Sequence, residues 1–355
     1  MRIVFDLDDT LCHTENRDYS NSCAISSVVE KIKEIKHKIS DAEIVIYTAR
    51  GMASCNGDVE MAKKKNLPYI EAFLQRNDLK VDEIIFGKPL ADIYVDDKAM
   101  SAIDFSLAGV RTYEGLSGAT VCRVGNVVIK QAGNVKEQYD WYCRAKTHYE
   151  NKNGLFYTPI VYSVTLGKLY MQYVDGHLAA KCVNADMIRN IIKELKREQG
   201  HIDGRNDVVS YANYVSQRAE SVGVRTDIFE RITNCKTLED KTFSHGDLSL
   251  LNIISTDKGL ALIDPSPNKG VESWIIDAAK IRASLNWLDE ALVGIEHDRG
   301  LIDVFDNLFE DKEVLNAVKL CEESHLFRVW HYAKKLGKVD IERKLEHCYS
   351  LLYAK

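Results

Sequence analysis

Several features are missing from this 355-residue chain, and each absence narrows its chemistry. No apolar run approaches the roughly 20 residues needed to cross a bilayer. The opening "MRIVFDLDDTL" is interrupted by three aspartates, which excludes a secretory signal. The nine cysteines are odd in number and include no C-x-x-C pair. A chain of this length needs no disulfide staples, so reduced, buried thiols and a cytoplasmic setting are expected. The net charge is −6 and no basic block is present, which argues against nucleic acid as a partner. There is no Pro/Ser-rich linker, internal repeat or low-complexity tract, so two abutting domains are expected from the length.

What is present is a change of pattern along the chain. "RIVFDLD", "AEIVIYTAR", "EIIFGKP" and "DIYVDDKA" are short apolar runs that end in polar residues. Between the first two, Val28, Val29, Ile32, Ile35 and Ile39 recur at helical spacing. Helix-like stretches also fall in "VEMAKKKNLPYIEAFLQRND". Strands alternating with helices predict a parallel α/β sheet covered on both faces, with sites at the carboxyl ends of its strands. Near residue 112 the pattern changes to turn glycines and β-branched alternation, which predicts antiparallel hairpins. A helix over about 135–149, another hairpin in "YSVTLGKLYMQYV", and helices through 185–235 and 270–355 follow. The expected organisation is an α/β domain over 1–112, then an α+β domain over 113–355. The latter divides into a small β-rich lobe (about 113–174) and a large helical lobe (about 175–355).

The strand tips of the first domain carry phosphoryl chemistry. Asp6 can attack phosphorus and form an aspartyl-phosphate. Asp8, two residues on in extended chain, lies on the same side and can act as acid and then base. Crowded carboxylates beside a phosphate call for a hard cation such as Mg²⁺, with Asp96, Asp97, Asp6 and the Asp8 carbonyl as its oxygen ligands. The ordered set Asp6-x-Asp8, Thr48, Lys88 and Asp96–Asp97 resembles the haloacid dehalogenase-like phosphatases over about residues 1–110. "FDLDDTL", "IYTARGM" and "FGKPLADIYVDDKA" are most similar to small phosphatases found with capsule-polysaccharide genes. The resemblance implies that Thr48 holds a phosphate oxygen and that Lys88 neutralises nucleophile and phosphate, with Arg50 contacting phosphate or substrate. Asp9 and Thr10 are expected to shape the turn. The spacing leaves no room for a large cap domain, so residues 12–24 or the neighbouring domain would shape the pocket.

A second constellation lies in "FSHGDLSLLNIISTDKGLALIDPSP", residues 243–267. It resembles the aminoglycoside phosphotransferase and choline kinase group, small-molecule kinases of protein-kinase-like fold, over about residues 113–355. "EGLSGATVCRVGNVVIK", "MQYVDG" and "WIIDAAKIRASL" extend the likeness. It implies that Asp247 takes the acceptor's proton, that Asn252 and Asp264 hold Mg²⁺, and that Lys130 reaches the nucleotide phosphates. Gly115 and Gly118 would let the backbone approach phosphate. Gln172 to Val174 would meet the base of ATP or GTP through backbone groups. Glu137 would pair with Lys130, with Glu150 as the alternative partner. His245 would orient and Asp277 would be structural. Gly246 replaces the arginine that pairs with a phosphorylated segment in protein kinases, and only twelve residues separate Asp264 from Asp277. Both imply an unswitched kinase for small molecules.

The combined reading is a bifunctional phosphatase and kinase acting on small hydroxylated metabolites such as a sugar, polyol or amino alcohol. Its partners are phosphate-ester and alcohol substrates and a nucleotide, without membrane insertion. Nucleic-acid end repair is disfavoured because no G-x-x-x-x-G-K-[ST] string occurs. A nucleotide-binding scaffold with one silent domain is the non-enzymatic alternative. An antibiotic phosphotransferase would want an acidic pocket, for which "FEDKE" and "CEESH" are the candidates.

Overall fold

The computed structural model describes residues 1–14, 18–89, 110–114, 119–124, 126–150, 154–165, 167–197, 201–266 and 270–352. The strand expected at "DIYVDDKA" lies outside the described residues. Contacts divide the chain into two units, residues 1–113 with 122–125 and residues 114–121 with 126–355.

In the first unit, strands Arg2–Phe5, Glu43–Thr48 and Glu83–Phe86 form a parallel sheet with Glu43–Thr48 in the centre. Ile44, Val45 and Ile46 are fully buried, as a central parallel strand requires on both faces. Helix Ser26–Lys38 buries Val28, Val29, Ile32 and Ile35, the stripe predicted from spacing, while Ile39 ends it. Helix Val59–Arg76 runs through Pro68 as one element. It begins at Asp58, whose side chain accepts from the Met61 amide at 2.9 Å. The parallel pairing brings the carboxyl ends of all three strands to one edge of the sheet.

In the second unit, strands Val161–Thr165, Lys168–Gln172 and Val127–Gln131 pair side by side in that order. Both neighbouring pairs are antiparallel, as the hairpin pattern predicts. Helix Val135–Glu150 follows the last of these strands. A second, smaller sheet centres on the antiparallel hairpin Ile253–Thr256 and Gly259–Leu262. His177–Leu178 and Phe156–Tyr157 pair on its two sides. Helices Ala185–Arg197, Val208–Ser221, Trp274–Ala283, Lys312–Lys335 and Val339–Leu352 are its longer helices beyond these sheets. One apolar cluster runs from Val135 to Leu345. His201–Arg205 is a strand paired with Asp240–Thr242, where the pattern predicts helix.

Among the described residues no helix is long and apolar enough to cross a membrane. All nine cysteines are free thiols, but only Cys12, Cys55, Cys122 and Cys321 are buried. Cys23, Cys143 and Cys182 are exposed, against the expectation of small buried side chains throughout.

Candidate active sites

The first centre is built at the strand ends of the parallel sheet. Asp6 follows Phe5, Thr48 closes the central strand, and Lys88 lies two residues past Phe86. The Lys88 ammonium is 2.7 Å from Asp6 Oδ2, and Leu7 donates its amide to Asp6 Oδ1 at 2.8 Å. The Lys88 amide donates to the Thr48 carbonyl at 3.2 Å. The Thr48 hydroxyl accepts from the Arg50 amide at 3.0 Å. Arg50 grips Asp8 with two bonds, Nε to Oδ2 at 3.2 Å and Nη2 to Oδ1 at 2.5 Å. This guanidinium, expected to contact phosphate or substrate, is buried, bonds the second aspartate and also lines the cavity at Asp6 and Asp8. The reason is geometric, since a planar fork matches a carboxylate edge. Asp9 adopts φ 57°, the left-handed conformation of the turn it was expected to shape.

Tyr19, in the short turn Tyr19–Asn21, lies over the Arg50 guanidinium at 4.4 Å. It helps line a cavity of about 630 Å³ that opens on Asp6 and Asp8 and is bounded by Ser54, Lys65 and Tyr69. Gly51 has φ 83°, and a Cβ there would sit 2.3 Å from the Asn66 amide nitrogen, so the loop after Thr48 admits only glycine. Asp96 and Asp97 lie outside the described residues.

The second centre gathers residues far apart in sequence. Lys130, buried on its strand opposite Leu169, is ion-paired with Asp264 across 134 positions. Asp264 takes φ 57° and donates its amide to the Tyr142 hydroxyl at 3.1 Å. Gln138 Nε2 donates to Asp264 Oδ1 and to the Pro265 carbonyl, both at 2.9 Å. Glu137, the expected partner of Lys130, is exposed. Val135 is buried at the start of this helix, so Gln138, three residues on, shares its inward face, and Glu137 is turned away. The side chain of Glu150 lies outside the described residues, as do Gly115 and Gly118.

The loop at 245–252 is held from beneath. Asp277 is buried and accepts from the amides of His245 at 2.6 Å and Gly246 at 2.8 Å. Leaving such buried amides unpaired would cost about 1–3 kcal/mol each. Burial pushes the Asp277 carboxyl up to about 7, against the pull of those amides. Gly246 has φ 78°, which explains its presence independently of any missing arginine. His245 accepts from the Asp247 amide at Nδ1 (3.3 Å) and donates from Nε2 to the Ile263 carbonyl (3.0 Å). Burial lowers its pKa to about 4, so the ring is neutral. Trp141 Nε1 donates to the Ser244 carbonyl at 2.7 Å and ties helix Val135–Glu150 to the same loop.

Asn252 donates from Nδ2 to the Asp247 carbonyl (2.8 Å) and to Asp247 Oδ2 (3.1 Å), which leaves its amide oxygen facing away. Asp247 Oδ1 lies 3.0 Å from the buried Lys280 ammonium. Burial alone would raise the Asp247 pKa, but Lys280 and Arg328 together hold it well below the usual carboxylate range. Lys280 and Arg328 were not singled out from the sequence. The only signal for Lys280 was its place three residues after Asp277, one helical turn along the same face.

In the strand that ends at Gln172, the Gln172 amide donates to the Ile160 carbonyl at 2.8 Å and the Tyr173 amide to the Asn126 carbonyl at 2.7 Å. Among the described residues the Val174 backbone makes no hydrogen bond. In the second acidic stretch both glutamates are buried, whereas Glu310 and Glu313 of the first are exposed. Glu322 is bonded to Arg282, Asn286 and Trp287, and Glu323 to Arg231. Asp311 caps helix Lys312–Lys335.

Among the described residues no three His, Cys, Asp or Glu side chains converge as a metal-binding group. Asn252 and Asp264, read from the sequence as metal ligands, would each offer an oxygen donor. This suits Mg²⁺, which takes one or two protein ligands and completes its shell with phosphate and water.

No family model and no curated protein matches the chain. Solved structures do. A crystal structure of a target protein from Vibrio cholerae shares 34% identity, covering 30% of this chain and 86% of that one, with TM-score 0.28. Choline kinase from Cryptosporidium parvum Iowa II is similar at 12% identity over 70% of this chain and 88% of its own, TM-score 0.45. An ethanolamine kinase from Plasmodium vivax is similar at 13% identity over 98% and 97%, TM-score 0.47. With each TM-score below 0.5, the functional reading rests on this chain's own residues.

Proposed function

We propose that the chain is a bifunctional enzyme, a nucleotide-dependent kinase and a phosphatase, acting on small hydroxylated metabolites such as sugars, polyols or amino alcohols. The observation that carries the kinase reading is the convergence of Lys130, Asp247, Asn252 and Asp264. Lys130 meets Asp264, Asn252 meets Asp247, and the Ile263 amide joins the two pairs by donating to the Asn252 carbonyl at 3.0 Å. Asp247 is the base for the acceptor hydroxyl. The acceptor's oxygen then bonds the γ-phosphorus of ATP or GTP while the bond to the β–γ bridging oxygen breaks and the nucleoside diphosphate leaves. Lys130 binds phosphate oxygens, and Asn252 with Asp264 would hold Mg²⁺, which supplies charge neutralisation on the phosphates. The short stretch between Asp264 and Asp277 supports a kinase without an activation segment.

Support for the phosphatase comes from Asp6 and Asp8 at the edge of one cavity, each matched by a cation. Asp6 attacks phosphorus, Asp8 protonates the departing alcohol, and water attack on the aspartyl ester returns phosphate. Thr48 and Lys88 bind phosphate oxygens. Asp6, Asp8, Asp96 and Asp97 would hold the Mg²⁺ that offsets the charge of the phosphate. A role in surface-polysaccharide synthesis belongs to the same reading. Working on different positions or different intermediates, the two centres would relocate phosphate rather than consume nucleotide idly.

The test is a double dissociation. Asp247→Asn should lower nucleotide-dependent transfer by about a thousandfold or more and leave phosphatase turnover intact, and Asp6→Asn should do the reverse. Phosphorus NMR on a panel of polyols, amino alcohols and sugar phosphates reads both activities. One substitution that removes both would refute the assignment.

A further inference from the structure

The two aspartates of the first centre are held by different means. Asp6 meets the Lys88 ammonium, while Asp8 meets a guanidinium that is itself fixed on its other sides. The Asp8 side chain is 38% exposed at the cavity and the Arg50 side chain only 1%. Arg50 bonds Asp8 through Nε and Nη2, and Nη2 also donates to the buried Cys12 Sγ at 3.3 Å. The Tyr19 ring covers its face, with 4.4 Å from the guanidinium carbon to the ring centroid. A guanidinium stacked on an aromatic ring keeps its N–H edge for bonds in its own plane. The ring therefore sets the plane of the fork, and the fork sets the carboxylate.

Tyr19 stands on a mount of its own. Cys12–His13 pairs with Cys23–Ala24, and the turn Tyr19–Asn21 lies between them in the chain. Asp18 caps that turn, accepting from the Ser20 amide at 3.2 Å, from the Ser20 hydroxyl and from Asn21 Nδ2 at 2.7 Å. This carboxylate also borders the cavity, but these bonds tie it to its own turn. The Ser22 hydroxyl donates to the Tyr19 carbonyl at 3.2 Å. The turn packs on helix Val59–Arg76, whose Lys65 and Tyr69 also line the cavity. In the phosphatase reading Asp6 bonds phosphorus while the bond to the ester oxygen breaks and Asp8 gives that oxygen its proton. A carboxyl group that must meet one oxygen loses rate when it is free to tilt.

We propose that Tyr19 is a positioning residue of the phosphatase, fixing the plane of Arg50 and through it the aim of Asp8 at the leaving oxygen of the phosphate ester. This rests on the phosphatase reading and adds to it a residue that acts through another. The test uses the full chain with Mg²⁺ and two aryl esters, p-nitrophenyl phosphate and phenyl phosphate. Nitrophenolate departs readily without a proton, whereas phenolate calls for one from Asp8. The quantity to compare is kcat/KM, which covers the steps up to departure of the phenol. Tyr19→Leu, which fills the space without a π face, should lower kcat/KM about tenfold for phenyl phosphate and less than about twofold for p-nitrophenyl phosphate. Tyr19→Phe, which keeps the ring, should restore both. Thermal melts check that each variant is folded, and Tyr19→Ser takes the place of Tyr19→Leu should that variant fail to fold. A residue that merely supports the fold, or merely touches substrate, would lower both esters alike. Equal losses on the two esters, no loss on either, a loss that Tyr19→Phe shares, or phenyl phosphate left intact by a chain that cleaves p-nitrophenyl phosphate overturns the proposal. No hydrolysis of these esters or of sugar phosphates by the unmodified chain sinks the phosphatase reading itself.

Discussion

The two candidate centres differ in construction. In the first, each carboxylate meets its own side-chain cation, Asp6 with Lys88 and Asp8 with Arg50, at the tips of a rigid parallel sheet. In the second, Asp247, Asn252 and Asp264 sit on a loop and a hairpin, and helices hold them in place. Asp277 grips the loop amides, Trp141 grips Ser244, and Gln138 grips Asp264. The first centre takes its precision from strand ends. The second depends on a supporting layer of buried polar groups, which is costly to leave half satisfied.

That contrast can be broken or sharpened by experiment. The largest effect beyond the loss of either reacting aspartate should come from acid. His245 is buried neutral with its pKa lowered to about 4, so the unfolded chain binds its proton first. Stability from this residue is complete above about pH 6.5 and is lost as pH falls toward 4, on the order of 3 kcal/mol. Thermal melts should show it, and His245→Asn should flatten the decline while lowering Tm at pH 7.5. Parallel pH curves for the two proteins would refute this. Next, Gln138→Ala should cut kinase kcat/KM by roughly tenfold, the worth of a hydrogen bond to a charged group, with phosphatase turnover unchanged. Glu137→Gln should leave both activities as they were, and a loss there would restore the ion pair read from the sequence. Smallest, Asp58→Ala should cost about 1 kcal/mol in denaturant melts of the first unit through the lost cap on helix Val59–Arg76, and no kinase activity. An equal fall in kinase activity would show that the two units are coupled.

The same contrast explains what could be read from the sequence. Asp6, Asp8, Thr48 and Lys88 were legible because parallel strands end at one edge, so residues following three apolar runs must meet there. Asp247, Asn252 and Asp264 were legible as a string within one loop and hairpin. Gln138 was missed because one position along a helix is a turn of about 100°, and the acidic neighbour offered the more familiar chemistry. Lys280 and Arg328 were missed because their partner is brought to them only by helix packing. Glu322 and Glu323 were misread as candidates for an open acidic wall because the arginines that meet them, Arg282 and Arg231, are about 40 and 90 positions away. The strand His201–Arg205 was missed because its partner, Asp240–Thr242, is equally remote.

Helix Val135–Glu150 is anchored at Gln138, Trp141 and Tyr142 to three different backbone or side-chain partners. Its length is therefore constrained more tightly than its outer face. Drift among the solvent-facing positions leaves the anchors in line, whereas inserting or deleting one residue between Gln138 and Trp141 swings one anchor a quarter-turn or more from the other. In descendants of this chain, that stretch should tolerate spelling changes and reject changes in count.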